Sequence, residues 1–158
     1  LAELAPANLK LEIVEIGDLP LYNEDIDGDS PPAAYSTFRE KVGSSDAVLF
    51  VTPEYNRSMP GVLKNAIDHA SRPYGQSVWN GKPGAVISAS PGAIGGFGAN
   101  HHLRQSMVFL DVHMMQQPEA YLGGAGSFFG EDGKLGDGIK PFLQKFIDAY
   151  AAWVARHL

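Results

Sequence analysis

The chain has no cysteine, which removes disulfides, thiolate metal sites and cysteine nucleophiles in one step. Positive charge is sparse: 12 Lys and Arg stand against 18 Asp and Glu, a formal net charge of −6, and the cations are scattered with no run of them. Phosphate backbones are gripped by clustered cations, so no nucleic-acid partner is expected. Long apolar runs are missing as well. The longest, Ala47-Val48-Leu49-Phe50-Val51, falls far short of a bilayer span, and no membrane partner is expected. With no basic-then-apolar opening of the secretory kind in these residues, a cytoplasmic location is the expectation.

What is present is the make-up of an ordinary globular domain. A hydrophobic share of 44% and a charged share of 19% can build a core without staples, so residues 1–158 are read as a single domain. Residues 1–6 look like a helix end stopped at Pro6. The strict alternation over Leu9 to Ile16 predicts a strand, and a loop rich in Asp, Gly and Pro follows from Gly17 to Pro32. A helix is predicted over 33–43 and a buried parallel strand over Asp46 to Thr52. A second helix starts near Pro60, where a proline at the first helical position loses no needed N–H. Further strands are predicted over Ala85–Ala89 and 112–117, with helices over about 99–110 and 139–156. The last helix repeats Phe142, Phe146, Ile147, Tyr150 and Val154 at helical spacing, a core face.

Strands alternating with helices predict an α/β fold with a largely parallel, doubly wound sheet. In such sheets ligands sit at the carboxyl ends of the strands. Two chemically unusual loops, 53–58 and 90–96, both leave such ends and are expected to face one crevice. The first, Pro53-Glu54-Tyr55-Asn56-Arg57-Ser58, combines a rigid proline, a flat aromatic side chain and the free N–H groups of a helix start. Those are the needs of a planar aromatic cofactor; an ordinary connecting loop fits the same residues about equally well. The second, Ser90-Pro91-Gly92-Ala93-Ile94-Gly95-Gly96, allows positive φ and close backbone approach, which suit a plain turn as readily as a ligand.

Thr52-Pro53-Glu54-Tyr55-Asn56 followed by Gly61-Val62-Leu63-Lys64-Asn65-Ala66-Ile67-Asp68 closely resembles the signature of the NADPH-dependent FMN reductase family. The likeness continues through Gly81-Lys82-Pro83, Ser90 to Gly96, His102-Leu103-Arg104-Gln105 and Phe109-Leu110-Asp111-Val112, and so covers nearly the whole chain. The resemblance implies a flavodoxin-like, three-layer fold, FMN and NADPH as cofactors, and a small-molecule electron acceptor such as a quinone, flavin, azo compound or metal oxyanion. It implies flavin contacts at Pro53, Glu54, Tyr55, Asn56, Arg57, Ser90 and Gly92, and a homodimer or homotetramer. The family's Ser/Arg-rich phosphate loop after a first strand has no counterpart here. The expectation is that the first strand and that loop, roughly two dozen residues by the length of a strand, turn and helix start, lie upstream.

Other features carry less. Asn23 to Gly28 imitates the opening of a calcium loop, but position twelve of that pattern is Ala34 where a bidentate Glu is required, so a solvated acidic loop is expected. Adjacent His101 and His102 diverge by about 100° on a helix and make a poor chelating pair. Ser88 and Ser90 lack the setting of a hydrolase nucleophile. Arg104 and Glu119 are open to pairing within or between subunits, with an interface role favoured around Arg104. No catalytic acid–base pair is assigned, because a flavin carries its own chemistry. The rival function is a flavodoxin-type electron carrier without NADPH reductase activity; a flavin-free interaction module on the same fold ranks third.

Overall fold

The structure is a computed structural model describing residues 1–158. Its regular elements are α1 (Ala33–Gly43), β1 (Val48–Thr52), α2 (Gly61–Ala70), β2 (Pro83–Ser90), α3 (Phe97–Phe109), β3 (His113–Met114), β4 (Tyr121–Gly123) and α4 (Lys140–His157). Short 3-10 turns occupy Ala2–Leu4, Glu24–Ile26 and Ala125–Phe128.

All strand pairs are parallel. β2 is central: β1 lies along one side, with Thr52 opposite Ser88, and β3 and β4 share the other. Burial on both faces explains why β2 reads as a nearly continuous apolar run rather than an alternating one. Ala85 and Ile87 face the α4 layer, where they join Leu143, Phe146, Ile147 and Tyr150. Val86 faces the opposite layer with Phe38 of α1, Ile67 of α2 and Leu103 and Met107 of α3. The result is the three-layer α/β arrangement that the order of elements predicts.

Two predicted elements take a different form. Leu9 to Ile16 is not a strand. Its side chains still divide between the layers: Leu9 and Leu11 pack on the α4 cluster, Val14 and Ile16 on the α1–α3 cluster. Its backbone joins no ladder, and β1 pairs only with β2. Alternation places side chains, but a strand exists only with a hydrogen-bonding neighbour. The strand predicted over 112–117 shrinks to His113–Met114, and pairing resumes at β4 after the cis Gln117–Pro118 bond. The opening residues form one 3-10 turn rather than the end of an α-helix.

The loop from Gly17 to Pro32 is more than a solvated acidic segment. Arg39 of α1 donates to both carboxylate oxygens of Asp27, at 2.7 and 2.6 Å, and Tyr22 Oη donates to the same carboxylate at 2.9 Å. Asp27's side chain is 1% exposed, so this acid belongs to an internal clasp. No helix is long and apolar enough to cross a membrane.

Candidate flavin-binding site

β1 and β2 are parallel neighbours, so the loops that follow them leave the same edge of the sheet. The first turns tightly. Tyr55 and Ser58 exchange both backbone hydrogen bonds at 3.0 Å, and the two residues between them have positive φ: 51° at Asn56 and 65° at Arg57. That is the backbone of a type I′ turn, which favours Asn at its first central position. Arg57 lacks that tolerance, and a non-glycine residue held there carries strain on the order of 1–3 kcal/mol. The surrounding packing must offset it.

Three contacts with α3 do so. The carboxylate of Glu54 accepts a hydrogen bond from the backbone N–H of Ala99 at 3.0 Å and pairs with Arg57 at 3.3 Å. Its side chain is 10% exposed. Ser58 Oγ lies 2.8 Å from His102 Nδ1. Gly98 presses against the turn so closely that a Cβ there would sit 2.6 Å from the carbonyl oxygen of Arg57.

The cap is unusual in its origin. α3 starts after Gly96, whose φ of 76° puts it in the left-handed region and which has no side chain to cap the helix. A helix start needs acceptors for its free N–H groups and attracts negative charge. Glu54 supplies both from a loop 45 residues away in sequence. A single capping interaction of this kind contributes about 1 kcal/mol.

The second loop is tied in the same way. Ser90 Oγ accepts from the N–H of Gly92 at 3.2 Å, so these two predicted site residues form one small turn. Ser88, buried, donates to the carbonyl of Gly95 at 2.8 Å. Gly95 lies against the backbone of Tyr121 where a Cβ would approach to 2.5 Å.

What these ties leave open is the outward side of the edge. Pro53, Asn56 and Arg57 are exposed, and Tyr55 is 63% exposed. The backbone N–H groups of Asn56 and Arg57 have no hydrogen-bond partner. A flat side chain beside unused N–H donors on a rigid turn fits the edge of an electron-rich planar ring. The fit is to the ring rather than to a phosphate, because the turn's cation, Arg57, is folded back on Glu54.

The model of the NADPH-dependent FMN reductases matches residues 1–127. The chain belongs to that family. Among its relatives, a quinone reductase of Pseudomonas putida is 68% identical over 154 residues, covering 98% of this chain and 83% of that protein. A 2-hydroxy-1,4-benzoquinone reductase of a Burkholderia species is 51% identical over 155 residues, covering 98% of this chain and 84% of that one. The solved structure of FerB, a flavoenzyme NAD(P)H:(acceptor) oxidoreductase from Paracoccus denitrificans, superposes with a TM-score of 0.89 at 44% identity. That superposition covers 98% of this chain and 85% of FerB. The fold is thus the flavodoxin-like fold of these reductases, and FMN with NAD(P)H is the cofactor chemistry of the family.

As an FMN reductase the chain combines Pro53, Glu54, Tyr55, Asn56, Arg57, Ser90 and Gly92 at one sheet edge, yet their side chains divide by task. Tyr55 and Asn56 are open, whereas the Glu54 carboxylate is engaged with α3. Sequence reasoning missed Gly98, the Ser58–His102 link and the short strand carrying Tyr121. A signal for the cap was present: α3 opens Gly96-Phe97-Gly98 with no Ser, Thr, Asp or Asn at its start, so its first turn needs an acceptor from elsewhere. Arg104 and Glu119 form no ion pair. Arg104 instead donates to Asn100 Oδ1 at 3.0 Å and to the carbonyl of Met115 at 3.1 Å, and burial lowers its pKa.

Proposed function

We propose that this protein is an NAD(P)H-dependent flavin oxidoreductase that reduces quinones in the cytoplasm, as a homodimer or homotetramer. The observation that carries the reading is the 68% identity to the Pseudomonas putida quinone reductase, which runs over 98% of the chain and includes both crevice loops. FMN, when bound, would supply the two-electron chemistry that links NAD(P)H to the acceptor.

The chain's own part is placement. The N–H groups of Asn56 and Arg57 are donors for the ring's oxygens and nitrogens, Tyr55 offers a flat contact, and Pro53 stiffens the approach. Ser90 and Gly92 form the wall on the next strand. An open edge of this kind admits a flat acceptor such as a quinone to the ring. Assembly is supported by apolar side chains exposed on two helices: Val62 of α2 at 52%, and Val108 and Phe109 of α3 at 79% and 74%.

The test is a visible spectrum of the protein before and after anaerobic NADPH. A flavin spectrum that bleaches on mixing, and returns on addition of a benzoquinone, is the expected result. A bound flavin that stays oxidised until a partner protein reduces it identifies an electron carrier and overturns the proposal.

A further inference from the structure

We infer that Glu54 is a positioning residue for the flavin: its carboxylate, by capping α3 from the neighbouring strand's loop, holds the Asn56–Arg57 turn in its ring-facing conformation. The inference rests on the proposed flavin chemistry but assigns Glu54 a role other than contact with the ring.

The geometry makes the case. The turn consists of two non-glycine residues at positive φ, a conformation that relaxes unless neighbours oppose it. The neighbour is the first turn of α3, and Glu54 is the charged link between them, accepting from Ala99 N–H at 3.0 Å and meeting Arg57 at 3.3 Å. Gly98 is the matching surface. A Cβ there would lie 2.6 Å from Arg57 O and 2.9 Å from Glu54 Oε2, so a single position limits the approach of both carboxylate and turn. Glu54 and Gly98 therefore act on the same object from opposite sides. One pulls the turn onto α3, and the other leaves room for it to arrive. Since Ala99 lies in the first turn of the helix that follows the Ser90–Gly96 loop, the same link sets one wall of the crevice against the other.

The consequence is measurable in FMN binding by the apoprotein, read by quenching of flavin fluorescence. Glu54→Ala is expected to raise the FMN dissociation constant about tenfold or more, and Glu54→Gln, which keeps an acceptor oxygen for Ala99 N–H, to recover most of that loss. Gly98→Ala, which leaves Glu54 in place, is expected to weaken FMN to a similar degree. Because both act through one turn, the double variant should be little worse than either single one. Losses that multiply in the double variant, an unchanged FMN affinity in Glu54→Ala, or a Glu54→Gln variant as weak as Glu54→Ala would each overturn the inference. A lowered melting temperature in Glu54→Ala with FMN affinity intact would reduce Glu54 to a helix cap. If Glu54→Ala fails to fold, Gly98→Ala and Glu54→Gln decide the matter: an unchanged FMN affinity in Gly98→Ala, or a large loss in Glu54→Gln, overturns the inference. A wild-type protein that binds no FMN would instead refute the proposed function, a result separate from any of these.

Discussion

Asn56 and Arg57 illustrate how much of the site is backbone. With φ at 51° and 65°, their exposed N–H groups are aimed by the turn rather than by either side chain. At Asn56 conformation and amide can be separated. Asn56→Ala gives up a residue that tolerates the left-handed region, and should weaken FMN binding about tenfold, equivalent to roughly 1.4 kcal/mol, while the domain stays folded. Asn56→Gly removes the same amide but restores the permitted φ, and should recover most of the affinity. Titration of FMN against the two variants checks this; equal losses would place the binding contribution in the amide. From residue types alone Pro53 to Asn56 fitted a cofactor loop and an ordinary connecting loop about equally, and only the family resemblance favoured a site. The strain at Arg57 and the engagement of Glu54 were not legible, because both depend on α3 arriving from 45 residues further along the chain.

At the scale of elements, the loop from Gly17 to Pro32 is stitched to two helices. Asp27 binds Arg39 of α1, Asn65 of α2 accepts from Tyr22 N–H at 2.8 Å, and Asn65 also donates to the carbonyl of Pro20 at 2.9 Å. The Arg39 guanidinium holds the Asp27 carboxyl below the usual carboxylate range, against the opposing effect of burial. Burial and the bond to Asp27 push the Tyr22 phenol up to about 12. The sign for Asp27 follows from linkage. Its proton is bound more weakly in the folded chain than in the unfolded one, so its contribution is complete above the ordinary carboxylate pKa and declines as pH falls through the depressed folded value. Asp27→Asn leaves Arg39 buried with half its partner and should destabilise the protein by about 3 kcal/mol near neutral pH. The difference from wild type should narrow in acid, and urea denaturation at a series of pH values measures both. The acidic composition of this loop was plain in the sequence, but a carboxylate's partner is not written beside it. Asp27 and Arg39 meet only because α1 packs alongside.

The whole molecule is a three-layer sandwich whose site lies at one edge of the sheet, and its properties there follow from assembly and charge. Val62, Val108 and Phe109 are exposed on α2 and α3. If these faces meet in a dimer, replacing Phe109 by Asp should lower the mass in solution without changing the flavin spectrum of the monomer, as sedimentation and absorbance would show. Arg104 belongs to a different argument. Its guanidinium bonds Asn100 and Met115 inside the subunit, so Arg104→Ala should reduce thermal stability by roughly 1–3 kcal/mol through the unsatisfied Asn100 and Met115 acceptors. A melting curve unchanged by that substitution would refute this structural role, and an unchanged mass in solution would count against an interface role for Arg104.

The sequence by itself determined the class of fold, the positions of the four helices, the buried strands β1 and β2, and the two loops at their carboxyl ends. These depend on periodicity and local chemistry, which short stretches of chain carry on their own. Tertiary structure alone decided the rest. Leu9 to Ile16 alternates as a strand does but joins no ladder, and the strand predicted over 112–117 shrinks to His113–Met114, with pairing resumed only at β4. Glu54, read as a flavin contact, also caps α3, a helix with no capping side chain of its own. In each case the outcome turns on whether a distant part of the chain supplies a hydrogen-bonding partner, and no local pattern specifies which partner the fold will deliver.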